Sequence, residues 1–395
     1  MLDSIYVGLT GLLGYSKSLK VISNNVANLN TPGFKSSQLQ FADLFYSTQG
    51  SGGGGGSAQF GAGLTTLATV LDFKQGEIRQ TGGELDAAID GSGLFVLKDK
   101  QGQTLFSRAG QFGFDADGFL VSKADASRVQ ALTQDGQLVD ISLAGLRVNA
   151  PKPTSSVKFT GNLSSTAAQD VVDSVKVIDV QGGEHLLKLT FKNNGSTTPG
   201  DWTVTVADDT GTVGTGDIRF QNGKPDPAAS SFTVTYAPAG TTGTAITFDF
   251  SADTTSFASG TQSTLAVSSQ DGFAVGVLTK VSFDEEGSLV MTYSNGQVVK
   301  NQRMALANFD RPDAMLEQQG GNEFTSQATI LVQFGHASGG VFGKITAGAV
   351  EISNVDLSQQ FSDLIVTQRG YQASSQVIST ANELVQDLLD MRSKR

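Results

Sequence analysis

The sequence predicts an α+β multidomain chain in which N- and C-terminal coiled-coil helices pair into a stalk and carry two mainly-β domains, the outer one inserted in the inner one. Three observations lead there. Heptad-spaced apolar and small residues occur at both ends of the chain and not between them. From about residue 71 the interior alternates short β-prone runs with Gly-rich turns. Residues 151–264 differ from what flanks them, being dense in Thr, Ser and Gly behind Pro151 and Pro153.

The C-terminal pattern is the longer. Leu357, Phe361, Leu364, Gln368, Tyr371, Ser375, Ile378, Asn382, Val385 and Leu389 recur at alternating steps of four and three, the a/d seam of a coiled-coil helix. Asp356 with Gln359 three residues on reads as an Asp version of the capping box. Arg392, Lys394 and Arg395 place positive charge where the helix dipole is negative.

At the other end Ile5, Leu9, Leu12, Ser16, Leu19, Ser23 and Val26 follow the same alternation, with Asp3, Lys17 and Lys20 off the seam. Gly8, Gly11 and Gly14 interrupt this helix, each costing ~1 kcal/mol relative to Ala in a helix interior, so it needs a partner. That partner is the C-terminal helix in a hairpin, or other subunits on which the segment folds during assembly; the two are compatible. The candidate assembly interface is therefore Ile5, Leu9, Leu12, Leu19 and Val26 together with Leu357, Phe361, Leu364, Tyr371, Ile378, Val385 and Leu389.

Composition excludes several classes of function. A formal net charge of -11 leaves no basic footprint for nucleic acid or for an anionic membrane surface. Without cysteine there is no disulfide framework, thiolate metal site or cysteine nucleophile. His185 and His336, the only histidines, have no ligands gathered at metal spacing, and both read as structural. Neither a catalytic constellation nor a cofactor is expected. The first residues do not resemble a Sec-type signal, and no run reaches the eighteen apolar residues a membrane span requires. Export, if it occurs, takes another route.

The chain then divides as follows: residues 1–30 and 354–395 a terminal helical domain, 31–70 a linker, 71–150 and 265–353 an inner β domain, and 151–264 an outer β domain. Pro32-Gly33 ends the first helix, and the five glycines within residues 51–57 lack the Gly-Lys-Ser/Thr ending of a phosphate loop, so they read as a flexible connection. Runs at Gly93–Leu97, Thr104–Phe106, Phe112–Phe114 and Gly118–Val121 read as inner strands. Asp115-Ala116-Asp117-Gly118 is a β-turn, since no distal Glu completes a calcium loop. In the outer domain His185–Phe191, Trp202–Val206, Phe232–Tyr236 and Ala245–Phe250 read as strands with Thr203, Thr205, Thr233 and Thr235 on a wet face, and Trp202 is a core aromatic. Ser288–Tyr293 and Gln297–Val299 form a hairpin about Asn295-Gly296, expected as type I′. Asp284, Glu285 and Glu286 sit beside a glycine in an exposed turn.

Seven stretches carry a family resemblance. SNNVANLNTPGFK (Ser23 to Lys35), AIDGSGLFVL (Ala88 to Leu97) and SRAGQFGFDADGFL (Ser107 to Leu120) resemble the axial proteins of the bacterial flagellum, the rod and hook subunits. The stretch from Gln270 to Gln297, MALANFDRPDAM (Met304 to Met315), Phe342-Gly343 and the run from Ser353 to Ser374 are similar to the hook branch, although Ser374 stands where the family often carries Asn. The resemblance implies a structural subunit, not an enzyme, that polymerises into a curved hollow tube and acts as a universal joint between rod and filament. It implies the chain itself as chief partner, distal rod and hook–filament junction proteins at the ends of the tube, a hook cap during growth, and export by the flagellar type III apparatus to an extracellular site. A distal rod subunit is the nearest alternative, disfavoured by the inserted domain; a β-rich surface adhesin gives no reason for seams at both ends.

Overall fold

The computed structural model describes residues 2–44, 46–49, 58–326 and 332–393. The five-glycine stretch, Lys394 and Arg395 and the side chain of Arg392 lie outside the described residues. The chain forms two compact units: Met1–Ala144 with Val281–Val290 and Lys300–Arg395, and Gly145–Lys280 with Met291–Val299. The edges differ from 151 and 264 because Val148 and Asn149 pair with Val277 and Gly276, so the flanking strands belong to the second unit's backbone network.

Among the described residues the first unit has three α-helices: α1 (Leu2–Ala27), a single turn α2 (Pro312–Met315) and α3 (Leu357–Ser393). Asp356 caps α3: its Oδ1 accepts the backbone N–H of Ser358 at 2.8 Å and of Gln359 at 3.1 Å. The reciprocal half of the capping box is not made, because the Gln359 amide reaches forward to Asp363 Oδ1 instead. After α1 the chain runs into an antiparallel ribbon, Ser37–Asp43 with Leu64–Leu71, kinked by a register shift between Leu39 and Phe41. The body is a ten-stranded antiparallel sheet whose spine runs Leu316–Gln318, Glu323–Ser326, Thr104–Ser107, Leu94–Lys98, Arg128–Leu132, Leu120–Ser122, Phe112–Phe114. Val96, Phe106, Ala305, Ala307 and Phe324 are buried in one cluster, and Phe106 meets Phe309 edge to face at 4.9 Å.

The second unit is all β. An antiparallel five-stranded sheet takes Gln169–Ile178, Glu184–Asn193, Asp201–Asp208, Gly211–Gln221 and Lys224–Pro225 in chain order. A four-stranded sheet runs Ser231–Tyr236, Thr244–Thr255, Ser156–Asn162, Ala266–Gln270, with Ser156–Asn162 parallel to Thr244–Thr255. Both sheets contribute to one core. Leu187, Leu189, Phe191, Trp202, Val204 and Val206 from the first meet Phe159, Ile246, Phe248 and Phe250 from the second, as in a sandwich. Trp202 is 1% exposed, as a core aromatic should be, while Thr233 and Thr247 bond each other on the wet face.

Two hairpin turns show how local chemistry sets backbone geometry. Asn222 and Gly223 both have positive φ, 53° and 76°, and close a two-residue turn between Gln221 and Lys224. At Asn295-Gly296 only the glycine does, at 77°. Gly296 N–H bonds Tyr293 O and Tyr293 N–H bonds Gln297 O, so this turn is a type I turn closed by a glycine bulge rather than type I′. The Asn295 amide donates to Ala274 O, and that bond holds it out of the left-handed region.

Candidate assembly surface

The two ends of the chain meet in the first unit through a buried ionic node. Lys35, next to the Pro32-Gly33 break, is extended from the end of α1 into the body. Its Nζ donates to Glu351 Oε1 at 2.7 Å and to the Lys74 carbonyl at 2.6 Å. Arg108 Nη1 donates to Glu351 Oε2 at 3.0 Å, and its Nη2 to Gly91 O at 2.7 Å. Gly76 N–H adds a bond to Glu351 Oε1, and Gly33 N–H takes the Glu351 carbonyl, both at 2.8 Å. All three charged side chains are buried, Glu351 completely. Burial lowers the pKa of both Lys35 and Arg108, and the Glu351 carboxylate opposes that shift. Gly33 has φ +70° and leaves no room for a side chain: a Cβ there would stand 2.3 Å from Ala109 N.

Amide side chains join α1 and α3 to this node. Asn25, 1% exposed, donates to Ser37 O at 2.8 Å and to Gln360 Oε1 on α3 at 3.0 Å. Asn354, just before α3, accepts Ser36 N–H and donates to Asp72 O and Lys74 O. Nothing in the sequence flags the node, whose members are three isolated charges far apart in the chain. The available signal was that Lys35 and Arg108 lie inside TPGFK and SRAG, among glycines and aromatics rather than in polar runs.

The helix seam also differs from the apolar heptad positions. On α1 the buried residues are Gly8, Gly11, Gly14, Ser18, Ile22 and Asn25; Ile5, Leu12, Leu19 and Val26 are half-buried and Leu9 is exposed. On α3 Gln360, Leu364, Thr367, Gly370, Ser374, Ile378, Ala381 and Val385 turn inward, whereas Leu357, Phe361, Tyr371 and Leu389 are exposed. On α1 the contact stripe therefore lies one residue back from the predicted seam, a rotation of ~100° about the axis, whereas on α3 Leu364, Ile378 and Val385 stay inward and most of the other positions shift back by one. Small residues cause it. A Cβ on Gly8 would stand 2.7 Å from Ile378 Cγ1, and one on Gly11 2.6 Å from Ser374 Oγ, so the backbones approach where side chains are absent. Ser374 fits this close approach. The larger apolar residues, including Leu9, Leu13, Phe361, Ile365 and Val366, are left facing outward.

The other sites singled out in the sequence are structural. His185 Nε2 pairs with Asp179 Oδ2 at 2.9 Å and packs edge-on against Tyr236. Burial and the nearby Arg303 lower the pKa of His336. Asp115 Oδ1 accepts Phe119 N–H and its carbonyl accepts Gly118 N–H, which makes a turn. Lys300 covers Asp284, and Arg303 approaches Glu286 at 3.4 Å. Among the described residues no group of three or more His, Cys, Asp or Glu could hold a metal ion, and no helix is long and apolar enough to cross a membrane.

Family comparisons fall on the same segments. Residues 5–35 match the model "Flagella basal body rod protein", 88–164 "Flagellar hook protein FlgE/F/G D1 domain", and 346–391 "Flagellar basal body rod FlgEFG protein C-terminal". The flagellar hook protein FlgE of Treponema pallidum is 30% identical over 466 residues, covering 99% of this chain and 100% of its own. That of Salmonella typhimurium is 28% identical, covering 97% and 98%. The solved Helicobacter pylori flagellar hook protein FlgE2 aligns with a TM-score of 0.48 at 15% identity, covering 68% of this chain and 98% of its own. With full-length identity at this level to a named hook protein, and with all three family models on the residues that build the node and the helix pair, the chain belongs to the flagellar hook protein FlgE family.

Proposed function

We propose that this structural subunit assembles with copies of itself into the curved hollow tube of the hook, with α1 and α3 as the assembly device and the second unit as the outer, compliant part. One observation carries the reading. The small residues of α1 and α3 are used up within one chain, and Leu9, Leu13, Phe361, Ile365 and Val366 are left exposed on the same two helices. Exposed apolar side chains on a helix pair are covered by association, and an interface that does not close on itself builds a helical filament. The node at Glu351 fixes the helices to the body, so that torque on one reaches the other.

In this reading residues 1–30 and 354–395 line the inside of the tube, 71–150 and 265–353 form the inner β layer, and 151–264 the outer layer. The polar Thr-rich face of the outer layer suits contacts that slide as the tube bends. Leu9, Phe361, Tyr371 and Leu389 then serve between copies, and Ile5, Leu12, Leu19, Val26, Leu364, Ile378 and Val385 support the helix pair within one. Rod and hook–filament junction proteins would meet the two ends, a hook cap would attend growth, and the flagellar type III apparatus would export the chain to the cell exterior.

Negative-stain electron microscopy before and after induced polymerisation tests the reading. Curved tubes with a central channel are expected. Straight rods would move the assignment to the drive shaft, and a chain that stays monomeric under every condition would refute self-assembly.

A further inference from the structure

Between α1, the first turns of α3 and the ribbon Ser37–Asp43 lies an open groove of about 560 Å³. Its lining includes the apolar Val21, Leu39, Phe41 and Val366, the carboxylates Asp72, Asp356 and Asp363, and one cation, Lys74. Lys74 is engaged with Asp72 at 3.5 Å. Among the described residues Asp363 accepts the Gln359 amide, and Asp356 the capping N–H groups. The groove thus sets apolar side chains beside three carboxylates and one cation.

One segment of this chain has the complementary order. At the end of α3, Leu388, Leu389 and Met391 are exposed, and the cations Arg392, Lys394 and Arg395 follow. A chain cannot bring this tract to its own groove. Asp363 and Met391 lie on one continuous helix, 28 residues apart, about 42 Å at ~1.5 Å per residue. The four residues 392–395 reach back at most ~14 Å even when fully extended.

We propose that the groove of one copy receives the Leu388–Arg395 tract of a second copy, apolar residues against Val21, Phe41 and Val366 and cations against Asp72, Asp356 and Asp363. Donor and acceptor surfaces are different parts of the molecule, so each copy binds one neighbour through its groove and another through its tract. That is a heterologous, open-ended contact, and it adds a directional register to the assembly proposed above, on which it rests.

The full chain has no cysteine, so D363C/K394C introduces the only two thiols. Oxidation of the assembled double variant should give a non-reducing gel ladder extending well past dimer, while either single variant stops at dimer. Assembled tubes of D363C/K394C without a ladder overturn this inference alone. Wild-type chain that never assembles overturns the self-assembly reading and this inference with it. Independently, R392E/K394E/R395E should raise the critical concentration for polymerisation at low salt on the order of tenfold, and adding D363K should bring it back to within about threefold. An unchanged critical concentration in the triple variant also overturns it.

Discussion

Lys35 Nζ donates to Glu351 Oε1 at 2.7 Å across 316 residues of sequence, and this buried contact ties the exit of α1 to the approach of α3. Glu351 is the hub, serving two cations and two backbone N–H or carbonyl contacts, whereas Lys35 is one of two cations. Removing the hub leaves both Lys35 and Arg108 buried without a counter-charge. Glu351→Ala should destabilise the first unit by ~3–5 kcal/mol, the usual cost of breaking a buried pair. Lys35→Met leaves the Arg108–Glu351 pair neutral overall and should cost clearly less. Urea melts followed by far-ultraviolet circular dichroism would rank the two, and equal losses would deny Glu351 its central place.

Gly33 supplies a second test of the same junction. At φ +70°, with Ala109 N, Ala109 Cα and the Arg108 carbonyl carbon all within 2.7 Å of where a Cβ would lie, the walls are backbone and cannot rotate aside. Gly33→Ala should therefore cost more than the ~1 kcal/mol that left-handed backbone alone imposes on an L residue. Gly82→Ala has nearly the same φ, +73°, with nothing within 4 Å, and is the matched control that isolates the steric part. Equal melting temperatures for the two variants would contradict the close approach.

The sequence made the class of fold legible because its elements are locally consistent. Glu184–Asn193 and Asp201–Asp208 alternate exposure along the strand, and Trp202 falls on the inward side of that alternation. On α1 the packed stripe and the apolar heptad differ by one residue for a physical reason. Apolarity marks where large side chains want cover, whereas α1 and α3 pack where Gly8, Gly11, Gly370 and Ser374 let the backbones close. Of the apolar heptad positions, Leu9, Phe361, Tyr371 and Leu389 receive little cover from the partner helix. The ionic node was invisible because charges such as Lys35 and Glu351 read as solvated surface until the fold brings them together.

A buried carboxyl makes the first unit sensitive to pH. Glu323 is 5% exposed and its Oε1 has no hydrogen-bond partner among the described residues. Burial, then the adjacent Asp125, pushes its pKa up to about 8. Burial alone would raise the Asp125 pKa, but hydrogen bonds from Ser127, Glu323 and Ser122 outweigh it and lower it. Between the unfolded value near 4.5 and the folded value near 8, the native state holds a proton that the unfolded chain releases. The stabilisation is complete below about pH 4.5 and is lost as pH rises toward 8, with a limiting slope of ~1.4 kcal/mol per pH unit for one proton. Glu323→Gln should remove that slope and melt above the wild type at pH 8.5. Parallel stability curves from pH 5 to 8.5 would count against the paired carboxyls.

Trp202 gives the second unit its own reporter. It is the sole tryptophan, it lies in the core shared by the two sheets, and the helices belong to the other unit. Fluorescence should follow the second unit while ellipticity at 222 nm follows chiefly α1 and α3. Non-coincident urea transitions are expected, as for a multidomain chain that is not two-state. Coincident midpoints and slopes would mean that the two units unfold as one.

Ile365 separates folding from assembly. It lies on the outward side of α3 at 58% exposure, two residues from Thr367, which is buried. Ile365→Glu removes nothing from the core, so the monomer's melting free energy should stay within about 0.5 kcal/mol of wild type. In a tube whose copies cover that face, the same change buries an unpaired carboxylate at every repeat, and polymerisation should fail or require high protein concentration. Thr367→Glu is the opposite case: it forces a charge into the interior of the single chain and should destabilise the monomer itself. Sedimentation of both variants beside their melting curves distinguishes the two faces. If Ile365→Glu polymerised as readily as wild type, the outward stripe would lose its role as the contact between copies.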